Sequence, residues 1–202
     1  TPQKSPASTS PAGEAFQVDE KFLDITDVEA AGEILAVRTG PFLHIGTLDK
    51  LRESTATTLQ ISAKCGDLTA TADTFVIACP VARDGGNSGE IFLIDSANPS
   101  LDNVRSALQP FVAAAMTTDG TVIGGSPEAD EVTVFKPDET TSSTTVNTGG
   151  PVHQVIALPR VGDTELPDAV VASDMTQTRV TGVDLVQDRT GGSLRAGVGV
   201  SR

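Results

Sequence analysis

The stretch FVAAAMTTDGTVIGGSPEADEVTVFKPDETTSSTTVNTGG, Phe111–Gly150, decides the fold. Its opening apolar run ends at Thr118-Asp119-Gly120-Thr121, and Val122-Ile123-Gly124-Gly125 follows at once. An Asp-Gly pair between two apolar runs signals a hairpin, because glycine takes a positive φ at no steric cost. The polar loop Ser126–Glu131 then leads into Val132-Thr133-Val134-Phe135, which alternates as a strand does. Thr140–Asn147, rich in hydroxyls, supplies a wetter outer strand.

The same unit recurs on both sides. Upstream, Gly66–Ala72 passes through Asp73-Thr74 into Phe75–Ala78, and the loop Ala82–Gly89 precedes Glu90–Asp95. Downstream, Val152–Leu158 crosses the insertion Pro159–Pro167 to Ala169–Ala172, then turns at Asp174–Thr178 into Arg179–Asp184. The earliest copy is Glu33–Val37, Phe42–Leu48 and Thr57–Ser62, after an ambiguous segment Phe16–Val28. The second strands begin near Ile34, Phe75, Val122 and Ala169, at intervals of 41, 47 and 47 residues. Four-stranded propeller blades recur at roughly 40–50 residues. Their inner strands are apolar because neighbouring blades cover both faces, and the outermost strand is wetter. The fold class is therefore all-β, with about four four-stranded antiparallel β-propeller blades over residues 16–62, 63–108, 109–150 and 151–202. A β-sandwich of short strands is the alternative.

Composition narrows the function. Trp and Tyr are absent and Phe occurs seven times, so the core is expected to be aliphatic. The formal charge is -13, from 27 acidic against 14 basic residues, which argues against nucleic acid or an anionic membrane surface as a direct partner. The sequence has no run of 18 or more apolar residues that could span a bilayer. Residues 1–15, TPQKSPASTSPAGEA, bury too little apolar surface to offset their ordering entropy and read as a flexible tether. Such tethers commonly follow the lipidated cysteine of bacterial lipoproteins; an ordinary disordered terminus is the other reading.

Further along, Gly149-Gly150-Pro151-Val152-His153-Gln154-Val155 resembles the blade-opening Gly-x-Pro-His-x-Val of YncE-like bacterial propellers. Gln109-Pro110-Phe111-Val112 keeps only the proline. The chain is also similar to propeller lipoproteins of actinobacterial cell envelopes. The resemblance implies a secreted or lipid-anchored, extracytoplasmic module, and it carries over no catalytic residues. Most propellers hold six to eight blades, so another chain or a further segment is expected to complete the ring; a closed four-bladed ring is the alternative.

Candidate sites are few. Gly86-Asn87-Ser88-Gly89 is similar to the nucleophile loop of trypsin-like proteases, but Glu90 replaces the glycine that should follow. His44 stands only 44 residues before Ser88, in Phe-Leu-His-Ile-Gly, so the triad is not assembled and an ordinary turn explains the loop. His44 is expected to be a packed or surface imidazole. His153 and Gln154, on a blade-opening strand, are the candidates for ligand contact in a central channel. Asp163, Glu165 and Asp168 cluster around the insertion and offer oxygens to calcium, although no calcium-loop pattern is present. Asp84, Asp119 and Asp174 occupy turns, where Asp bonds its own backbone. Gly191-Gly192 and Gly197 with Gly199 lack the strand–loop–helix setting of a phosphate loop. These features point to a binding or scaffold module for a protein partner or envelope ligand, with no cofactor required. The alternative is a lactonase- or hydrolase-like propeller with a metal in its channel.

Cys65 and Cys79 flank the open end of the hairpin expected between Leu68–Thr71 and Phe75–Ala78. They are expected to form a cross-strand disulfide worth about 3 kcal/mol, with Cα atoms about 4.4–6.8 Å apart, in an oxidising compartment. Two ligands alone make a poor zinc site. Labelling with a thiol reagent after unfolding without reductant should find no free thiol; two reactive thiols would overturn both bond and compartment.

Overall fold

The computed structural model describes residues 24–141, 143–158, 169–173 and 179–183. Every sheet in it is a meander of consecutive strands. The first holds β1 (Ile25–Ala31), β2 (Ile34–Thr39), β3 (Phe42–Gly46) and β4 (Thr57–Gln60), with a short helix α1 (Leu48–Arg52) between the last two. The second holds β5 (Leu68–Ala70), β6 (Thr74–Cys79), β7 (Gly89–Asp95) and β8 (Val104–Ala107). The third holds β9 (Ala113–Met116), β10 (Val122–Gly125), β11 (Glu131–Phe135) and β12 (Thr144–Asn147). The fourth contains β13 (Val152–Ala157), β14 (Ala169–Ser173) and β15 (Arg179–Val183). All pairings are antiparallel. Four sheets of consecutive strands are propeller blades, not the two interleaved sheets of a sandwich.

The Asp-Gly hairpin forms as its chemistry requires. Gly120 has φ +88°. Thr117 N–H donates to Thr121 O at 2.9 Å, and the Asp119 carboxylate accepts from Thr121 N–H at 3.0 Å. The Thr117 hydroxyl also donates to Asp119, and this bond above all holds the Asp119 carboxyl below its ordinary value. Asp84 likewise caps its own turn, accepting from Gly86 N–H at 2.9 Å. Two strands are shorter than expected: the one from Phe42 ends at Gly46 and does not run to Leu48, and the outer strand expected from Thr140 begins at Thr144. Thr47 caps α1 by accepting from Lys50 N–H, and buried Leu51 then packs on Val37 and Leu35. A single turn of helix carries too little apolar period to be visible in the sequence.

Three apolar layers separate the four blades. Leu43 and Ile45 meet Phe75, Ile77, Phe92 and Ile94 between the first and second blades. Val76, Ala78, Ile91 and Leu93 meet Phe111, Val122 and Phe135 between the second and third. Ala113, Ile123 and Val134 meet Val152 and Val155 between the third and fourth. Thus β6 and β7 are buried on both faces, whereas β4 and β12 are mostly exposed. The core is not purely aliphatic. Phe75, Phe92, Phe111 and Phe135 are its largest fully buried side chains, each contributing about 2–3 kcal/mol by burial, and Phe111 meets Phe135 edge-on. Composition alone understated them because a few aromatic residues suffice when four of the seven Phe stand fully buried between blades.

A disulfide closes the second blade beside its junction with the first. Cys65 and Cys79 are bonded, with Cα atoms 4.0 Å apart, closer than the expected range. The cause is adjacent: Gly66 N–H donates to Ala78 O at 2.7 Å and draws the two chains together. Arg38, 8% exposed, reaches from β2 across the linker. Its Nη1 donates to Gly66 O, its Nη2 to Cys65 O at 2.7 Å and Ala63 O at 3.3 Å, and its Nε to Gly40 O at 3.4 Å. Burial lowers the guanidinium pKa, and the charges of Asp27 and Asp67 oppose that.

At Gly66 the backbones leave no room for a side chain, since a Cβ there would fall on the Val112 carbonyl. Gly66→Ala should therefore destabilise the fold by about 3 kcal/mol, because main chain cannot swing aside as a side chain can. Gly32→Ala, at φ +63° with open space around it, should cost only about 1 kcal/mol. Chemical denaturation of the two variants checks the order, and equal losses would show that the blades do not meet at Gly66.

Candidate functional site

The innermost strands of the four blades converge on one cavity of about 640 Å³. β1 contributes Asp27 and Glu29, the approach to β5 contributes Asp67, and β13 contributes Gln154, Ile156 and Leu158. The wall is therefore acidic toward the first two blades and apolar toward the fourth. Thr69 Oγ1 donates to Ala114 O at 3.0 Å and ties β5 to β9 along the cavity.

The three carboxylates do different work. Asp27 is occupied by structure: its Oδ2 accepts from Leu68 N–H at 2.7 Å and its Oδ1 from Val28 N–H at 2.9 Å. Asp67 lies close enough to act on the Arg38 charge. Glu29 has the least compensation. Burial raises its pKa, the neighbouring Asp27 raises it further, and a bond from Ala30 N–H partly offsets both. A cation brought beside Glu29 would relieve this.

Of the residues singled out in the sequence, Gln154 lines the cavity and His153 does not. His153 is exposed and sits at a register shift between Val152 and Gln154, where the ladder of β13 with β14 is irregular. His44 is a packed imidazole of β3. Its Nε2 lies 3.0 Å from Thr39 Oγ1 and its Nδ1 3.0 Å from Thr58 Oγ1, bonds that cross the first blade. Ser88 belongs to the β6–β7 loop of the second blade, so the protease-like pair is divided between blades. Asp163, Glu165, Asp168 and Asp174, together with residues 1–15, lie outside the described residues, as do the glycines from Gly191 onward. Among the described residues no group of three or more His, Cys, Asp or Glu side chains could hold a metal. No described helix is long and apolar enough to cross a membrane.

Glu29 and Asp67 were not singled out by the sequence. The signal was there in the alternation of Asp27, Val28 and Glu29, but an innermost strand wet on one side and unpaired to a strand before it does not read as apolar β.

No protein-family description matches this chain, and no curated protein does. Solved structures do. A chain of the mitotic checkpoint complex gives a TM-score of 0.55 at 12% identity, over 78% of this chain and 47% of that one. A protein of unknown function from Bacteroides caccae gives 0.56 at 14% identity, over 85% and 61%. Sqt1 from Chaetomium thermophilum gives 0.53 at 13% identity, over 76% and 43%. These neighbours are β-propeller-like, and at such identities the likeness speaks for the fold alone. The chain spans about half the length of the structures it matches. What fold and site define is thus a set of propeller blades converging on a cavity with carboxylates on one side. Its disulfide suits an oxidising compartment.

Because the folded pKa of Glu29 is raised, the folded chain binds that proton more readily than the unfolded chain does. The ionised side chain therefore opposes folding above the ordinary carboxylate range, and the penalty fades as pH falls. Glu29→Gln should raise the melting temperature at neutral pH and leave it unchanged in acid. A lower melting temperature at neutral pH would show that Glu29 is held by a compensating cation.

Proposed function

We propose that this chain is a non-enzymatic binding scaffold that holds a protein partner at the mouth of its channel. The observation that carries the proposal is the convergence of all four inner strands on one cavity with carboxylates on one side and aliphatic side chains on the other. Such a surface suits a partner segment that pairs a basic side chain with an apolar one. One similar solved chain comes from a multiprotein assembly, the mitotic checkpoint complex, which fits a propeller used for protein contact. We place the protein outside the cytoplasm, secreted or lipid-anchored in a bacterial envelope, as a relative of the YncE-like propellers. The disulfide and the Gly-x-Pro-x-His stretch at Gly149–His153 support that placement. The short span relative to its neighbours supports a ring completed by further blades, from this protein or another chain.

The test uses synthetic peptides carrying Lys or Arg beside an aliphatic residue, titrated calorimetrically against the chain. Binding should weaken about tenfold or more in Glu29→Lys and should weaken with added salt. Binding indifferent to both would remove the channel mouth as the site.

A further inference from the structure

The chain runs on from the fourth blade beside the channel. Val183, at the end of β15, pairs with Ala169 of β14, and Ala169 pairs with Ala157 of β13, which lines the cavity. Two strand spacings, about 10 Å, therefore separate Val183 from the cavity wall. Beside Ala157 on that wall stand Ile156 and Leu158, large apolar side chains left 46% and 36% exposed. Glu29 and Asp67 stand on the side of the first two blades.

The sequence beyond Val183 is matched to that lining. Residues 189–202, RTGGSLRAGVGVSR, hold Arg189, Arg195 and Arg202 and no Asp or Glu, in a chain of formal charge -13. Leu194 stands directly before Arg195, so an aliphatic and a basic side chain are adjacent. The other long stretches outside the described residues are acidic on balance: residues 1–23 carry two lysines against three acids, and residues 159–168 one arginine against three. At about 3.3 Å per residue, the eleven steps from Val183 to Leu194 span more than three times the distance to Ala157. The repeat offers the segment another place, as an outer strand beside β15. Gly191, Gly192, Gly197 and Gly199 make it a poor one, since glycine weakens a strand interior, and β4, β8 and β12 contain none. A second concavity, of about 470 Å³, lies between the outer strands of the second and third blades. Ser88, Ser106, Thr141 and Thr145 help to line it and no charged side chain does, so arginines would find no partner there.

We infer that residues 189–202 seat in the channel mouth of their own chain, Leu194 over Ile156 and Leu158 and Arg195 toward Glu29 and Asp67, and compete there with an outside partner. The inference rests on the reading of the mouth as a site for a basic side chain beside an apolar one. Because the segment is joined to its site, it competes at an effective concentration on the order of millimolar, however dilute the protein. An outside partner must displace it, so weak binders are excluded and strong ones are admitted. A segment seated by a few contacts leaves well before the blades melt, so the melting of Glu29→Gln reads an empty mouth.

The test has two readouts on the whole chain. In Arg195→Lys, carbodiimide activation of carboxylates should couple the introduced amine to Glu29 or Asp67 within one chain, mapped by mass spectrometry of the monomer band. In the second, a synthetic peptide copying residues 189–202 is titrated calorimetrically against the unaltered chain and against the double variant Leu194→Ser, Arg195→Gln. The double variant should bind it about tenfold or more tightly than the unaltered chain does, and adding Glu29→Lys should remove most of that gain. Both substitutions lie outside the described blades, and a thermal melt verifies that the variants fold. Equal binding by the two proteins would overturn the inference, since a seated segment must be displaced, and would leave the mouth as a partner's site. Absence of coupling to both Glu29 and Asp67 would place the segment elsewhere and overturn it as well. Peptide bound by neither protein would overturn this inference together with the reading on which it rests.

Discussion

A blade held between two others has no solvent face, so one pleat must present two apolar sets at once. β6 and β7 meet that demand with Phe75, Ile77, Phe92 and Ile94 on one face and Val76, Ala78, Ile91 and Leu93 on the other. Most of what distinguishes this chain follows from it. Polar residues are driven to strand ends, to the innermost strand and to the outermost one. Connections must be tight, which is why Gly120 takes a positive φ and Asp119 spends its carboxylate on the turn. Where main chains of successive blades touch, only glycine fits, as Gly66 does against Val112.

The junctions carry charge where the layers carry none. Arg38 leaves water almost completely, and a guanidinium is the one side chain that can serve several linker carbonyls from a single rigid fork. A lysine there would offer a point charge to groups that lie in different directions. Arg105 does the same between the second and third blades, with a poorer fit: its Nη1 and Nη2 are bonded, but its Nε is buried without a partner. An unmade bond of that kind costs about 1–3 kcal/mol. The first junction is thus the better satisfied, and the disulfide lies beside it.

The blades were legible because their period and their apolar alternation are properties of the chain itself. Val122 and Ala169 open second strands where the repeat puts them, and Thr74 opens one a residue before Phe75. The disulfide was legible because a hairpin places its two flanks side by side. What was missed depends on tertiary context. Leu48 looks like the end of a strand until Thr47 is seen to cap a turn of helix. Glu29 looks like a solvated charge until three other strands close around its cavity. Likewise, Thr141 and Thr145 read only as a wet outer strand, because the wall opposite them comes from another blade.

The two concave surfaces differ in the charge of their linings. At the channel mouth, Glu29 and Asp67 add to an acidic field that already surrounds the molecule. That field accelerates the approach of a basic segment, repels an acidic one, and is screened by salt. The groove between the outer strands adds no charge of its own. The fold keeps the two surfaces apart by one arrangement, since strand order within a blade puts β5 and β9 at the channel and β8 and β12 at the rim.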